Sequence, residues 1–157
     1  MGQEFGQLRE WSEERELDWF LLQEQPHRDL QKYVSDLLTL YKKYPALYAM
    51  DNDPEGFEWI NANDGDRSIF SFVRKSPTKR NNILYVVNFT PVDRPDYRVG
   101  VPRRKTYKLV LDSDAKEFGG EGTEKPASYK AVKSECDGRN YSFAYPLSGY
   151  GVAVFKF

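Results

Sequence analysis

The spacing of apolar residues along the chain changes once, from a helical rhythm to a strand rhythm. Between Pro26 and Lys43, Leu30, Tyr33, Val34, Leu37, Leu38 and Tyr41 recur at intervals of three and four, which places them on one helix face. Pro26 suits a first turn, where its missing N–H would be unpaired anyway, and Pro45 cannot continue the helix beyond Lys43. A helix over 26–43 follows. Such a helix is not stable alone in water, so its stripe must either cover something apolar or remain a patch that favours self-association.

After Asp51-Asn52-Asp53-Pro54 the pattern becomes short runs of β-branched and aromatic residues separated by turn formers. Expected strands are 57–60, 68–74, 82–89, 105–112, 128–134, 141–145 and 150–157. Seven strands without intervening helices predict a mainly β chain, a sandwich of about seven or eight antiparallel strands preceded by a helical segment, with a boundary dividing 1–50 from 51–157. In the third run Ile83, Tyr85, Val87 and Phe89 share one face and Leu84, Val86 and Asn88 the other, so it should be a central strand. The last run reaches the carboxy terminus without a polar tail and should end inside the sheet. Residues 112–123, with Gly119, Gly120 and Gly122, read as the mobile loop. Trp59, Phe70, Phe72, Tyr85, Phe89, Phe143, Phe155 and Phe157 fall within strands and read as core. Tyr97, Tyr107, Tyr129 and Tyr150 lie near strand ends, where sugar contact is conceivable.

A chain of 157 residues holds one ordinary domain with an appendage. Its net charge of -1, from 23 basic and 24 acidic residues, gives no long-range field for phosphate backbones or anionic lipid, so nucleic acid and membrane partners are not expected. No apolar run approaches the roughly 20 residues that span a bilayer, and the first residues carry no secretory pattern. Cys136 is the single cysteine and fits a reducing compartment, which makes the cytoplasm the expected location. The sequons at Asn88 and Asn140 sit in strand-like runs and are read as incidental.

Candidate chemistry is sparse. Glu4, Glu10, Glu13, Glu14, Glu16 and Asp18 cluster near the start, and glycoside cleavage does need two flanking carboxyl groups, but such clusters are usually solvated faces. His27 is the only histidine, so no histidine-based metal or nucleophile cluster can form within the chain, and it reads as a helix-start or packing residue. Cys136 lies in a hairpin-like Cys136-Asp137-Gly138 with no partner for catalysis. Phe118-Gly119-Gly120-Glu121-Gly122 lacks the context of a phosphate-binding loop, and Arg103-Arg104-Lys105 reads as a solvated turn. No catalytic residue, metal or cofactor is indicated.

Five stretches taken in order add a resemblance. Met1-Gly2-Gln3-Glu4-Phe5-Gly6-Gln7 runs on to Glu10-Trp11 and Glu16-Leu17-Asp18-Trp19. Gly56-Phe57-Glu58-Trp59-Ile60, Asn88-Phe89-Thr90-Pro91-Val92, Tyr97-Arg98-Val99-Gly100-Val101-Pro102, and Ser113-Asp114 with Phe118-Gly119-Gly120 follow. Together they resemble the carboxy-terminal region of the bacterial 1,4-α-glucan branching enzymes, of the α-amylase-like superfamily. Gln3, where asparagine is common, and Glu121, where a small residue is typical, depart from the pattern.

The resemblance implies that residues 1–50 are the end of a catalytic (β/α)8 barrel and that 51–157 are the trailing β domain. It places Glu4 at the end of the eighth barrel strand, and Trp11, Asp18 and Trp19 in the loop that follows, on the substrate side. The catalytic carboxylates would lie in upstream motifs that have no counterpart here, so the chain alone would be inactive. The implied partners are an α-glucan such as glycogen or amylose and the missing barrel. A glucan-binding module and a related hydrolase or debranching enzyme are the alternatives.

Overall fold

The computed structural model describes residues 1–78 and 80–157. They form two compact units, Met1–Lys42 with Ser113–Thr123, and Lys43–Asp112 with Glu124–Phe157.

In the first unit a 3₁₀ turn at Gln3–Phe5 lies between Gly2 and Gly6, both in the left-handed region at φ 83° and 72°, a conformation that favours glycine. A second 3₁₀ turn, Trp19–Gln23, leads into helix α1, Gln25–Lys43. The helix stands where the spacing predicts it, but Leu40, outside the expected stripe, is its buried residue, while Leu30, Leu38 and Tyr41 stay exposed. Within the segment expected as a mobile loop, Lys116–Phe118 form a 3₁₀ turn. Phe118 stands edge-on to Tyr33 at 5.3 Å, and Lys32 Nζ pairs with Glu117 at 2.8 Å. Gly120 passes so near the Asp114 backbone that a Cβ would lie 2.2 Å from its carbonyl oxygen, which explains glycine there without any need for mobility.

The second unit is a β-sandwich of eight strands: β1 (Phe57–Asp64), β2 (Ile69–Arg74), β3 (Ile83–Asn88), β4 (Arg94–Val101), β5 (Thr106–Asp112), β6 (Ser128–Lys130), β7 (Tyr141–Leu147) and β8 (Val152–Lys156). One antiparallel sheet has the order β1-β2-β3-β8-β5-β6 and the other pairs β4 with β7. As expected, β3 is central, and β8 ends the chain between β3 and β5. The core lies between the sheets. Tyr97, Val99 and Val101 of β4 and Phe143, Tyr145 and Leu147 of β7 meet Ile69, Val73, Leu84, Val86, Ala153 and Phe155 of the larger sheet.

Strand β4 is absent from the sequence expectation; Pro95 and Gly100 interrupt its run of strand-forming residues. Its register slips between Arg94 and Tyr97, and Gly100 is needed where Cys136 crosses it, since a Cβ there would lie 2.3 Å from the Cys136 carbonyl oxygen. Cys136 and Arg139 exchange backbone bonds of 3.0 and 2.8 Å around Asp137 and Gly138, both at positive φ, the requirement of a type I′ hairpin turn. Asp137 ties this turn to the sheets, its Oδ2 accepting from the Gly100 N–H at 2.9 Å and its Oδ1 from Asn61 Nδ2 at 3.2 Å.

Candidate functional site

The four residues singled out by the resemblance all belong to the first unit. Phe5 is fully buried, its carbonyl accepts from His27 Nδ1 at 2.7 Å, and its ring meets Trp19 at 5.0 Å. The contact to a carbonyl makes Nδ1 the protonated nitrogen and gives His27 the packing role expected of it. Asp18 is only 4% exposed. Its carboxylate accepts from Arg9 Nε at 2.8 Å and from Arg9 Nη2, and its N–H donates to Gln7 Oε1 at 2.9 Å. Gln7 in turn bonds its N–H to the Gly2 carbonyl at 2.9 Å. The structure therefore joins Asp18 and Trp19 to the 3₁₀ turn that carries Glu4. It leaves Glu4 exposed in that turn, and Trp11 about half exposed in the connecting loop.

The electrostatics separate anchoring from chemistry. Hydrogen bonding to Arg9 holds the Asp18 carboxyl below the usual carboxylate range, with burial opposing and the Arg9 and Arg15 charges adding. An ionised, bidentately held carboxylate cannot act as a proton donor at neutral pH. The indoles of Trp11 and Trp19 are about half exposed. Arg9, which positions this loop, lies outside the stretches that carry the resemblance, and Gln7 lies inside one with no role assigned to it.

The larger sheet corrects two expectations. Trp59, Phe70, Phe72, Tyr85 and Phe89 are not core; they form a continuous aromatic ladder with Phe57 on the sheet face away from the β4-β7 pair. Phe72 and Tyr85 stack at 4.9 Å, and Trp59 and Phe89 are 49% and 63% exposed. The cause is pleat phase: on β2 the inward set is Ile69, Ser71 and Val73, so the phenylalanines must face out. Conversely, Tyr97 and Tyr107 are buried core residues and Tyr129 packs on Phe143 at 5.5 Å, which removes them as sugar contacts; Tyr150 alone of the four stays exposed. Burial pushes the Tyr97 and Tyr129 hydroxyls up to about 12, with nearby Asp137 and Asp64 adding at Tyr97 and Asp112 at Tyr129. Among the described residues no group of His, Cys, Asp or Glu could hold a metal ion, and no helix is long and apolar enough to cross a membrane.

Fold and site together define an all-β sandwich domain preceded in the chain by a helical segment. Residues 59–157 match the family described as alpha amylase, C-terminal all-beta domain, and the chain belongs to that family. It is 52% identical over 157 residues to the 1,4-alpha-glucan branching enzyme GlgB of Butyrivibrio fibrisolvens, covering 100% of this chain and 25% of that protein. The protein of the same name from Aquifex aeolicus strain VF5 is 42% identical over 156 residues, with 99% and 25% covered. The chain thus spans about a quarter of the length of the curated relatives it matches. Among solved structures, a mutant of the trehalulose synthase MutB superposes with a TM-score of 0.52 at 13% identity, over 82% of this chain and 18% of that one, which speaks for the fold alone.

Proposed function

We propose that this chain is the carboxy-terminal part of a cytoplasmic 1,4-α-glucan branching enzyme, with residues 1–50 completing the catalytic barrel and 51–157 forming the β domain that supports it. The observation that carries this reading is 52% identity over the whole chain to a branching enzyme. Such an enzyme cuts an α-1,4 chain, holds the severed segment covalently and passes it to a 6-hydroxyl, in two displacements with net retention. Those carboxylates belong to the part of the enzyme outside this chain, and the reaction calls for no cofactor. In this reading Trp11 and Trp19 face the glucan, Glu4 sits in the 3₁₀ turn whose Phe5 meets Trp19, and Asp18 fixes the loop through Arg9.

The test is a graft. The corresponding segment of the Butyrivibrio fibrisolvens enzyme is replaced by this chain, and α-1,6 linkages formed on amylose are counted. Restored branching by the graft, with none from the 157-residue chain alone, is the expected result. Branching by the isolated chain, or an inactive but folded graft, overturns it. A second reading, a glucan-binding module, is supported by the half-exposed Trp11 and Trp19. Affinity electrophoresis of the isolated chain in glycogen gels tests it, since retardation lost on Trp19→Ala requires binding at that loop.

A further inference from the structure

The face of the larger sheet that turns away from β4 and β7 is covered towards β8 and bare towards β1. Strand register sets Trp59 beside Phe72, Phe72 beside Tyr85 and Tyr85 beside Val154, with Arg74, Ile83 and Lys156 in the next row. Ile83 and Val154 are fully buried although they alternate with the core residues Leu84, Ala153 and Phe155 and so point to the outer side. On that side Tyr44, one residue past α1, brings its ring to 5.9 Å from Lys156 Nζ, and Ala46 and Leu47 after it are buried. Towards β1 the cover stops: Phe57, Trp59 and Phe89 are 38%, 49% and 63% exposed.

The chemistry of the bare part selects its occupant. Arg74, beside Phe57 in the register, is neutralised by Asp51, so the rings carry no free charge next to them. A sugar chain needs flat ring faces in a row with polar groups between them. Here Phe57 meets Trp59 at 84°, Trp59 meets Phe72 at 78° and Phe70 meets Phe89 at 73°, so neighbouring rings present edges. Aromatic side chains bury about 150–250 Å² each, and the three exposed rings therefore offer about 300 Å², well short of the roughly 800 Å² per partner of a stable contact between separate molecules. A second copy is disfavoured on that ground. A covalently attached partner is present at an effective concentration on the order of millimolar, and for it a small apolar patch suffices.

We propose that the aromatic ladder is the face on which the sandwich docks to the upstream catalytic barrel, against an apolar surface of the barrel's outer helices, with Trp59 and Phe89 as anchors. The proposal rests on the branching-enzyme reading, in which residues 1–50 are the end of that barrel. Tyr44 then belongs to the same body and already lies on this face, so the barrel continues the cover that this segment begins.

Hydroxyl-radical labelling of the 157-residue chain and of the graft compares this face in the two states. Trp59 and Phe89 are expected to be oxidised in the chain alone and protected in the graft. Val132, as exposed as Trp59 but bonded to Ser142 of β7, should be oxidised in both. Trp59→Ser should lower the melting temperature of the graft more than that of the chain, because only the graft loses a contact between domains. Equal oxidation of Trp59 and Phe89 in the two proteins, or equal shifts in melting temperature, overturns the docking face. Protection in the chain alone that grows with its concentration would assign the face to a second copy, and protection by added maltoheptaose would assign it to glucan; either result overturns the proposal. A graft that branches with Trp59 unprotected sinks the docking face and leaves the branching reading. A folded graft that protects Trp59 but does not branch sinks the branching reading and leaves the docking face.

Discussion

Asn88→Ala should cost the protein about 3 to 4 kcal/mol, far more than its size implies. Asn88 is 1% exposed at the end of β3, and every hydrogen-bonding position of its amide is engaged. Nδ2 donates to the Val92 carbonyl at 2.9 Å and the Ser148 carbonyl at 3.0 Å. Oδ1 accepts from the Thr90 N–H at 3.0 Å and from Thr90 Oγ1 at 2.8 Å. At roughly 1 kcal/mol net for each bond, the four account for the estimate, and it is a large part of a typical stability of about 5–15 kcal/mol. Urea unfolding gives the free energy, and at roughly 3–5 °C per kcal/mol a thermal scan should show a Tm lower by about 10–20 °C. Asn88→Asp sharpens the test. It keeps both acceptors but loses both donors, and sets an anion against two carbonyls. Burial among acceptors favours its neutral form, so the folded-state pKa is raised and stability must fall as pH rises from about 4 towards 7. A cost below about 1 kcal/mol for the alanine, or a pH-independent deficit for the aspartate, would refute the account.

The remaining predictions use the same measurements. Gly100→Ala should cost at least about 2 kcal/mol, because the new Cβ meets the Cys136 carbonyl oxygen at 2.3 Å and backbone must move; an unchanged urea midpoint would contradict that. Lys125→Met should cost about 3 kcal/mol, since Lys125 Nζ sits 2.7 Å from Asp112 with 3% of its side chain exposed, and the substitution removes a buried ion pair from one side only. Burial, reinforced by Asp137, pushes the Cys136 thiol up to about 11 from an ordinary 9.0. Alkylation at pH 8 should therefore be slower than for a free thiol. The fold's preference for the neutral group is fully present below about 9 and is lost as pH rises towards 11. Cys136→Ser should flatten that part of the stability profile.

Periodicity located elements better than it located their inner faces. The three-and-four spacing of Leu30 to Tyr41 belongs to one helix and to nothing else, so α1 was legible almost to the residue. Alternation likewise showed which residues share a side of β2 and β3. It cannot say which side is covered, and the choice of large aromatics over Ser71 and Asn88 put the core on the wrong face. Ser71 and Asn88 are buried because the facing β4-β7 pair supplies the bulk, Tyr97, Phe143 and Tyr145 included, and that information lies tens of residues away. Strand β4 was hidden for a related reason. Tyr97, Val99 and Val101 do alternate, but Pro95 and Gly100 are explained only by the bulge and the crossing turn that tolerate and require them.

The stretches that made the family recognisable are mostly those that hold the fold together. Asn88-Phe89-Thr90-Pro91-Val92 contains the amide that ties β3 to two loops, and Tyr97 to Val101 is the strand that closes the core. Asp114 to Gly120 is a turn closed by backbone contact. Packing of this kind constrains contiguous residues, which is why it reads from a sequence. The loop around Asp18 was legible only as a position; its support through Arg9 and Gln7 depends on a chain reversal that spacing does not encode. A chain whose recognisable motifs are structural, and whose ligand-capable groups converge only through the fold, has the character of a supporting domain. Under the proposed branching reading, such a domain holds the Asp18 loop in place through Arg9.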